Sequence, residues 1–121
     1  MVQTVAIQGA SNNPDRYSYM AFKLLQEMGH RIIPVSPKMA FLENSPVISD
    51  LNKINERVHT LTMYIGPDRS TVLQDQILKL KPGRVIFNPG SENPTLQKLL
   101  LAAGIPVLEA CTLVLLRNGK F

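Results

Sequence analysis

The feature that most constrains the fold is the alternation of strand-like and helix-like segments along the chain. Apolar runs at residues 4–7, 31–35, 59–65, 84–87 and 106–108 predict five strands. The segments between them carry helical spacing and are bounded by glycine and proline. A strand, a helix and a second strand normally pair in parallel through a right-handed crossover. The sequence therefore predicts an α/β fold with a doubly wound sheet of about five parallel strands and flanking helices.

Three helices are predicted from apolar residues that recur at helical spacing. Gly29 and Gly104 end the first and third, while Pro67 and Pro94 open the second and third, and Asn93 caps the third. The apolar positions are Met20, Leu24, Leu25 and Met28 in the first helix, Val72, Leu73, Ile77 and Leu80 in the second, and Leu96, Leu99, Leu100 and Ala103 in the third.

Three segments are less regular. Pro34 predicts an irregular or early end to the second strand, because proline cannot donate a hydrogen bond within a sheet. Residues 45–56 fit a short strand and a helical turn, and the apolar residues 112–116 fit either a helix or a strand.

Length and composition bound the class of protein. A chain of 121 residues with 45% hydrophobic residues predicts one domain, residues 1–121. No apolar run approaches the roughly 18–20 residues of a membrane span, and no secretory signal is evident. A single cysteine, Cys111, cannot form an internal disulfide. We therefore expect a cytoplasmic protein that binds no membrane.

The net charge of +4 raises the question of nucleic-acid binding. The 13 basic residues are scattered along the chain and do not alternate with aromatic residues. A nucleic-acid site normally shows a basic stripe or a stacking platform. The pattern instead predicts solvated helix faces and one or two phosphate contacts.

A glycine turn between the first strand and the first helix is the principal candidate site. Gly9 allows a tight turn and a close approach to the backbone, and the following helix offers free amides to an anion. The turn lacks the further glycines of G-x-G-x-x-G, so a NAD fingerprint is a poor match. A tight turn without a ligand is the alternative for residues 9–11. Arg16, at the helix entrance, is either a phosphate contact or a solvated side chain.

Other candidates follow the remaining strands. Ser36 and Lys38 stand where an acidic residue would contact a ribose in a dinucleotide site, and they suit an additional phosphate on that ribose. Asn88-Pro89-Gly90 is either a structural turn or a ligand contact. Cys111 is either a buried structural thiol or a ligand-facing one. The sequence offers no Ser-His-Asp set, zinc-ligand spacing or P-loop, and no catalytic residue or metal ligand is predicted.

These motifs together resemble the free-standing CoA-binding domain proteins, which are similar to the nucleotide-binding domain of the succinyl-CoA synthetase α subunit. The resemblance covers nearly the whole chain and implies a Rossmann-like fold that binds coenzyme A. It implies the pyrophosphate over the first turn and the adenosine 3′-phosphate near the Pro-Lys loop. The third strand ends in Tyr64-Ile-Gly66-Pro67 without the basic residue of many relatives. The resemblance assigns cofactor binding to Gly9, Ala10, Ser11, Arg16, Tyr17, Ser18, Pro37 and Lys38.

The leading hypothesis is non-catalytic binding of coenzyme A or an acyl-CoA. The pantetheine arm is expected to run along the strand ends that carry Asn88, Pro89, Gly90 and Cys111. One alternative is an enzyme, either a NADP-type oxidoreductase or a subunit of a CoA ligase. Another is an interaction protein that keeps the fold without the ligand. A homodimer or an unknown protein partner is also compatible with the sequence.

Overall fold

Strands and helices alternate along residues 2–121, which are the residues that the computed structural model describes. In chain order the elements are β1 (Thr4–Gln8), α1 (Tyr17–Glu27), β2 (Arg31–Val35), β3 (Phe41–Leu42), β4 (Ser45–Pro46), a 3-10 turn (Leu51–Lys53), β5 (Thr60–Met63), α2 (Pro67–Thr71), α3 (Gln74–Leu80), β6 (Arg84–Phe87), α4 (Pro94–Ala102), β7 (Val107–Glu109) and α5 (Thr112–Arg117).

Five strands form one parallel sheet in the order β2-β1-β5-β6-β7. Val5 of β1 lies opposite Ile32 of β2 on one side and Thr60 of β5 on the other. This arrangement confirms the predicted doubly wound α/β sheet. The chain runs outward from β1 to β2 and then returns to β5 on the far side of β1, so the strand order reverses there.

Helices cover both faces of the sheet. Phe22 and Leu25 of α1 and Leu116 of α5 pack on Val5 and Ile7 on one face. On the other face, the helices α3 and α4 and the 3-10 turn pack against the alternate strand residues. The buried side chains of that cluster include Ala6, Leu51, Leu61, Met63, Ile77, Val85, Phe87, Leu96 and Leu100. Helices α1 and α3 pack on opposite faces of the sheet, so the loops after β1 and β5 turn away from each other.

Pro34 does not end β2 early, contrary to the expectation, because it lies within this edge strand opposite Ile7. Its carbonyl oxygen accepts a hydrogen bond from the Ile48 amide at 2.9 Å, on the side away from β1. The amide and carbonyl of one strand residue point the same way, so the missing N–H of Pro34 faces the outer edge. An edge strand tolerates proline for this reason.

The single helix predicted from Pro67 to Leu80 is instead two helices, and Val72 between them is 77% exposed. The Ser70 and Thr71 hydroxyls donate to the Pro67 carbonyl oxygen at 3.3 and 2.9 Å. Such bonds compete with the backbone ladder of a helix. The Asn93 side-chain amide also donates to this carbonyl and to both hydroxyls, which fixes the end of α2 against the start of α4.

The remaining elements differ from expectation mainly at their ends. Met28 and Ala103 lie one residue beyond the ends of α1 and α4 and are exposed. The buried face of α1 is formed by Ser18, Ala21, Phe22 and Leu25. Residues 112–117 form a helix. Among residues 2–121, none of the helices combines the length and hydrophobicity that a membrane crossing requires.

Candidate functional site

A cleft of about 370 Å³ opens at the carboxyl ends of the strands, at the β1/β5 switch point. Ligands of doubly wound proteins bind at this place because the loops after the two strands turn to opposite faces. The volume lies within the usual range for small-molecule sites. The residues that line the cleft are Gly9, Ala10, Ser11, Arg16, Tyr17, Ser18, Ser36, Lys38, Tyr64, Ile65, Gly66, Arg69, Pro89, Gly90 and Ser91.

Nine of the twelve predicted site residues therefore meet in one cleft, and Pro37, Asn88 and Cys111 are not part of its lining. Ser36, which was predicted only as a phosphate contact beside Lys38, also lines the cleft. Five further residues line the cleft but were not among the predicted site residues: Tyr64, Ile65, Gly66, Arg69 and Ser91.

Gly9 closes the floor of the cleft. Its φ of +94° is a conformation that favours glycine, and a Cβ there would lie 2.9 Å from Ile65 Cγ2 and 3.3 Å from the Tyr64 backbone. The amides of Gly9 and Ala10 both donate to the Val35 carbonyl oxygen at 3.1 Å. These two amides therefore hold the β1 loop against β2 and are not free donors.

The free donors lie at the start of α1. Its N-cap residue, Arg16, makes no side-chain capping hydrogen bond. The amides of Ser11, Tyr17 and Ser18 have no acceptor within the part of the chain that the structure describes. A helix of 11 residues with unpaired first-turn amides has a positive end that favours an anion. The buried Ser18 places its hydroxyl at the same point of the cleft.

The polar loop between β1 and α1 is held by its own side chains. The Asn13 amide donates to Ser11 Oγ at 3.1 Å, and the Asp15 amide donates to Asn13 Oδ1 at 3.0 Å. Such short-range turns satisfy the backbone without closing the helix end. The loop is therefore ordered while the first-turn amides of α1 remain open.

On the β2 side, Ser36 is buried and its Oγ accepts a hydrogen bond from the Lys38 amide at 3.2 Å. The Ser36 amide in turn donates to the Ile48 carbonyl oxygen at 3.0 Å. The backbone of this loop is thus fixed while the Lys38 side chain remains exposed at the cleft. Pro37, between them, is exposed and lines a separate open groove on the surface.

On the β5 side, Tyr64 lines the cleft, and its hydroxyl is buried. Burial raises the pKa of Tyr64 to about 12. Arg69, in α2, is the basic residue that lines the cleft on this side. The sequence signal for it was Gly66-Pro67 as a helix start, with a basic residue in the first turn.

Pro89, Gly90 and Ser91 line the cleft on the β6 side, whereas the Asn88 side chain turns inward. Its Nδ2 donates to Thr62 Oγ1 at 2.7 Å and to the Met63 carbonyl oxygen at 2.9 Å. Its Oδ1 accepts a hydrogen bond from the Thr112 amide at 2.8 Å. Asn88 therefore joins β5 and β6 to the start of α5 and supports the loop that reaches the cleft.

Cys111 is half-buried as the N-cap residue of α5, beyond the end of β7. Glu109 accepts a hydrogen bond from the Gln97 side chain at 2.8 Å. The two histidines lie at the amino ends of the strands, opposite the cleft. There His30 and His59 accept hydrogen bonds from the amides of residues 3 and 4. Neither histidine reaches the cleft.

The lining of the cleft carries three basic residues and no aspartate or glutamate. Arg16, Lys38 and Arg69 take part in no ion pair among residues 2–121. The ion pairs described there are Lys23–Glu43 and Arg31–Glu56. The positive charge of the cleft is therefore balanced by no acidic side chain in its lining. An anionic ligand is the natural counterpart of such a site.

Fold and site together define a Rossmann-like domain with a cation-lined cleft at its switch point. A family model described as a CoA binding domain matches residues 3–117. The chain therefore belongs to the CoA binding domain family, as the motifs of the sequence predicted.

The chain is also similar to proteins of known structure and sequence. The chain is 39% identical to an uncharacterised protein of known crystal structure, with a TM-score of 0.95 and coverage of 100% of this chain and 99% of the other. It is 30% identical to a Thermus thermophilus protein, with a TM-score of 0.90 and coverage of 99% and 91%. The uncharacterised protein YneT of Bacillus subtilis is 32% identical over 75 residues, which are 62% of this chain and 56% of YneT.

Proposed function

We propose that the protein binds coenzyme A in the switch-point cleft. The observation that carries this proposal is the uncapped start of α1, whose free amides open into a cleft with three basic residues and no acid. Coenzyme A has a pyrophosphate and a 3′-phosphate, so it offers the two anionic groups that such a cleft would hold. Membership of the CoA binding domain family supports the same ligand.

The proposed pyrophosphate site is the start of α1. The amides of Ser11, Tyr17 and Ser18 and the Ser18 hydroxyl would donate to its oxygens, and the Arg16 guanidinium would pair with its charge. Gly9 and its neighbour Ala10 would serve indirectly, because their amides hold the turn against Val35. A side chain at residue 9 would fill the floor on which the ligand rests.

The proposed position of the nucleotide is the β2 side of the cleft. Lys38 is exposed there on a fixed backbone, which suits a contact with the 3′-phosphate, and Pro37 would keep the loop extended. Tyr17 is 66% exposed at the same cleft and offers an aromatic face to the adenine base. The nucleotide would thus lie over β2 and α1.

The pantetheine arm would leave the pyrophosphate toward β6, over Pro89 and Gly90. Asn88 supports this loop from inside the protein and is not proposed as a direct contact. Cys111 lies at the start of α5, beyond the lining of the cleft. It would meet only the far end of an extended arm.

We propose binding without turnover as the role of this chain. The Glu109 carboxylate accepts a hydrogen bond from Gln97. Both histidines lie at the amino ends of the strands, away from the cleft. Within residues 2–121, the lining of the cleft therefore contains no aspartate, glutamate or histidine that could serve as a catalytic acid or base. A measurable consumption of coenzyme A, an acyl-CoA or NADPH by the purified protein would contradict this part of the proposal.

Affinity measurements with Lys38→Ala test the proposed site. We expect the unchanged protein to bind coenzyme A about tenfold more tightly than dephospho-CoA, since one charge-assisted hydrogen bond on an exposed lysine is worth about 1.4 kcal/mol. The variant should bind both ligands equally. Lys98→Ala, which removes an exposed charge on α4, is the matched control and should retain the preference. A variant that still prefers coenzyme A would exclude Lys38 from the 3′-phosphate site.

A further inference from the structure

Arg69 is the basic residue of the cleft that the sequence motifs leave without a role. It belongs to α2, which follows β5, whereas Arg16 precedes α1, which follows β1. These two strands are neighbours in the sheet, so their carboxyl ends are about 4.8 Å apart. The two arginines therefore line the cleft from elements on the two sides of the strand-order reversal.

The two loops are in direct contact at the floor of the cleft. The backbone of Tyr64 and the side chain of Ile65 approach the Cα of Gly9 so closely that a Cβ there would meet them at 2.9 to 3.3 Å. The Ile65 side chain thus meets the Gly9 backbone directly at this seam. A ligand group on the seam would contact both loops, and Arg16 and Arg69 line the same cleft.

The charge of Arg69 is balanced by no acidic partner among residues 2–121. It forms no ion pair or side-chain hydrogen bond among residues 2–121, although Asp68 is its neighbour in α2. Arg31, by contrast, is held by Glu56 at 2.8 Å. An exposed arginine that lines an acid-free cleft is free to fork onto the oxygens of a phosphate group.

We infer that Arg69 is a specificity-determining residue that binds the ligand pyrophosphate from the side opposite Arg16. The inference rests on the proposed function, because it takes coenzyme A as the ligand. Two guanidinium groups and the first-turn amides of α1 would then bind the same pyrophosphate. The cleft would therefore select ligands that contain a diphosphate linkage. Lys38 then distinguishes among diphosphate ligands by their 3′-phosphate.

The test compares the unchanged protein with Arg69→Ala and Arg69→Lys by titration with coenzyme A and dephospho-CoA at two salt concentrations. Arg69→Ala should weaken both ligands by the same factor, about tenfold, and should reduce the salt dependence of binding. Arg69→Lys should keep the salt dependence and regain only part of the affinity, because lysine lacks the guanidinium fork. Lys98→Ala controls for the loss of one charge elsewhere.

Three results would overturn the inference. A loss of affinity confined to coenzyme A would show that Arg69 contacts the 3′-phosphate. A loss of affinity without a change in salt dependence would show that it contacts the uncharged pantetheine arm. Unchanged affinity for both ligands would leave Arg69 without a role in binding. Arg69 is exposed, so a melting temperature equal to that of the unchanged protein confirms that each variant is folded. If the unchanged protein fails to bind coenzyme A, the proposed function itself is wrong.

Discussion

Replacing Asn88 by alanine should destabilise the protein strongly, although Asn88 stands beside the cleft. Only 3% of the residue is exposed. Its side chain makes three hydrogen bonds of 2.7 to 2.9 Å, to Thr62, to the Met63 carbonyl oxygen and from the Thr112 amide. Alanine would remove all three and leave the Thr112 amide, at the start of α5, buried without an acceptor.

The size of the effect follows from these contacts. A typical intramolecular hydrogen bond contributes about 1 kcal/mol net, and a buried group left without a partner costs somewhat more. Three such bonds give a loss of about 2 to 4 kcal/mol in the free energy of unfolding. For a domain of this size, that loss lowers the melting temperature by on the order of 10 °C.

The assay is denaturant unfolding and thermal melting of Asn88→Ala beside Asn55→Ala, which removes an exposed asparagine. The control should melt within about 2 °C of the unchanged protein. An Asn88→Ala variant as stable as this control would refute the structural role assigned to the side chain. Weaker coenzyme A binding in a variant of full stability would instead make Asn88 a ligand contact.

Two further predictions concern the floor of the cleft. Gly9→Ala should lower stability by about 1 to 3 kcal/mol and weaken coenzyme A binding. Gly29 has a φ of +82° and open space around it, so Gly29→Ala should cost less stability and leave binding unchanged. Equal effects of the two substitutions would rule out the contact with Ile65. The pKa of Tyr64 is about 12 in the folded protein and 10.0 when exposed, so the unfolded chain loses this proton first. Stability should therefore fall by about 2 to 3 kcal/mol between pH 10 and 12. Tyr64→Phe should remove that part of the fall, and an identical pH profile would contradict the burial of the hydroxyl.

Much of the fold was predictable because local patterns decide it. Apolar runs and helix boundaries locate the five parallel strands, and crossover handedness then restricts how they pair. The break between α2 and α3 was not predictable from apolar spacing. It depends on the hydroxyls of Ser70 and Thr71 and on a hydrogen bond from Asn93, more than twenty residues away. A tertiary contact here overrides a local helical pattern.

The candidate site divides in the same way. Residues 9–11 and 16–18 lie close together in the sequence, so the motif alone brought them together. Lys38 follows from its place after β2. Arg69 and Tyr64 join them only because β5 returns beside β1. The direction of the Asn88 side chain depends on the register of β5 against β6, which the sequence does not encode locally.

The most direct test of the account is a calorimetric titration of the purified protein with coenzyme A, with dephospho-CoA and NADP measured in parallel. The account predicts saturable binding of coenzyme A, weaker binding of dephospho-CoA, and binding of NADP weaker than that of coenzyme A. An absence of coenzyme A binding, or NADP binding as tight as that of coenzyme A, would contradict it.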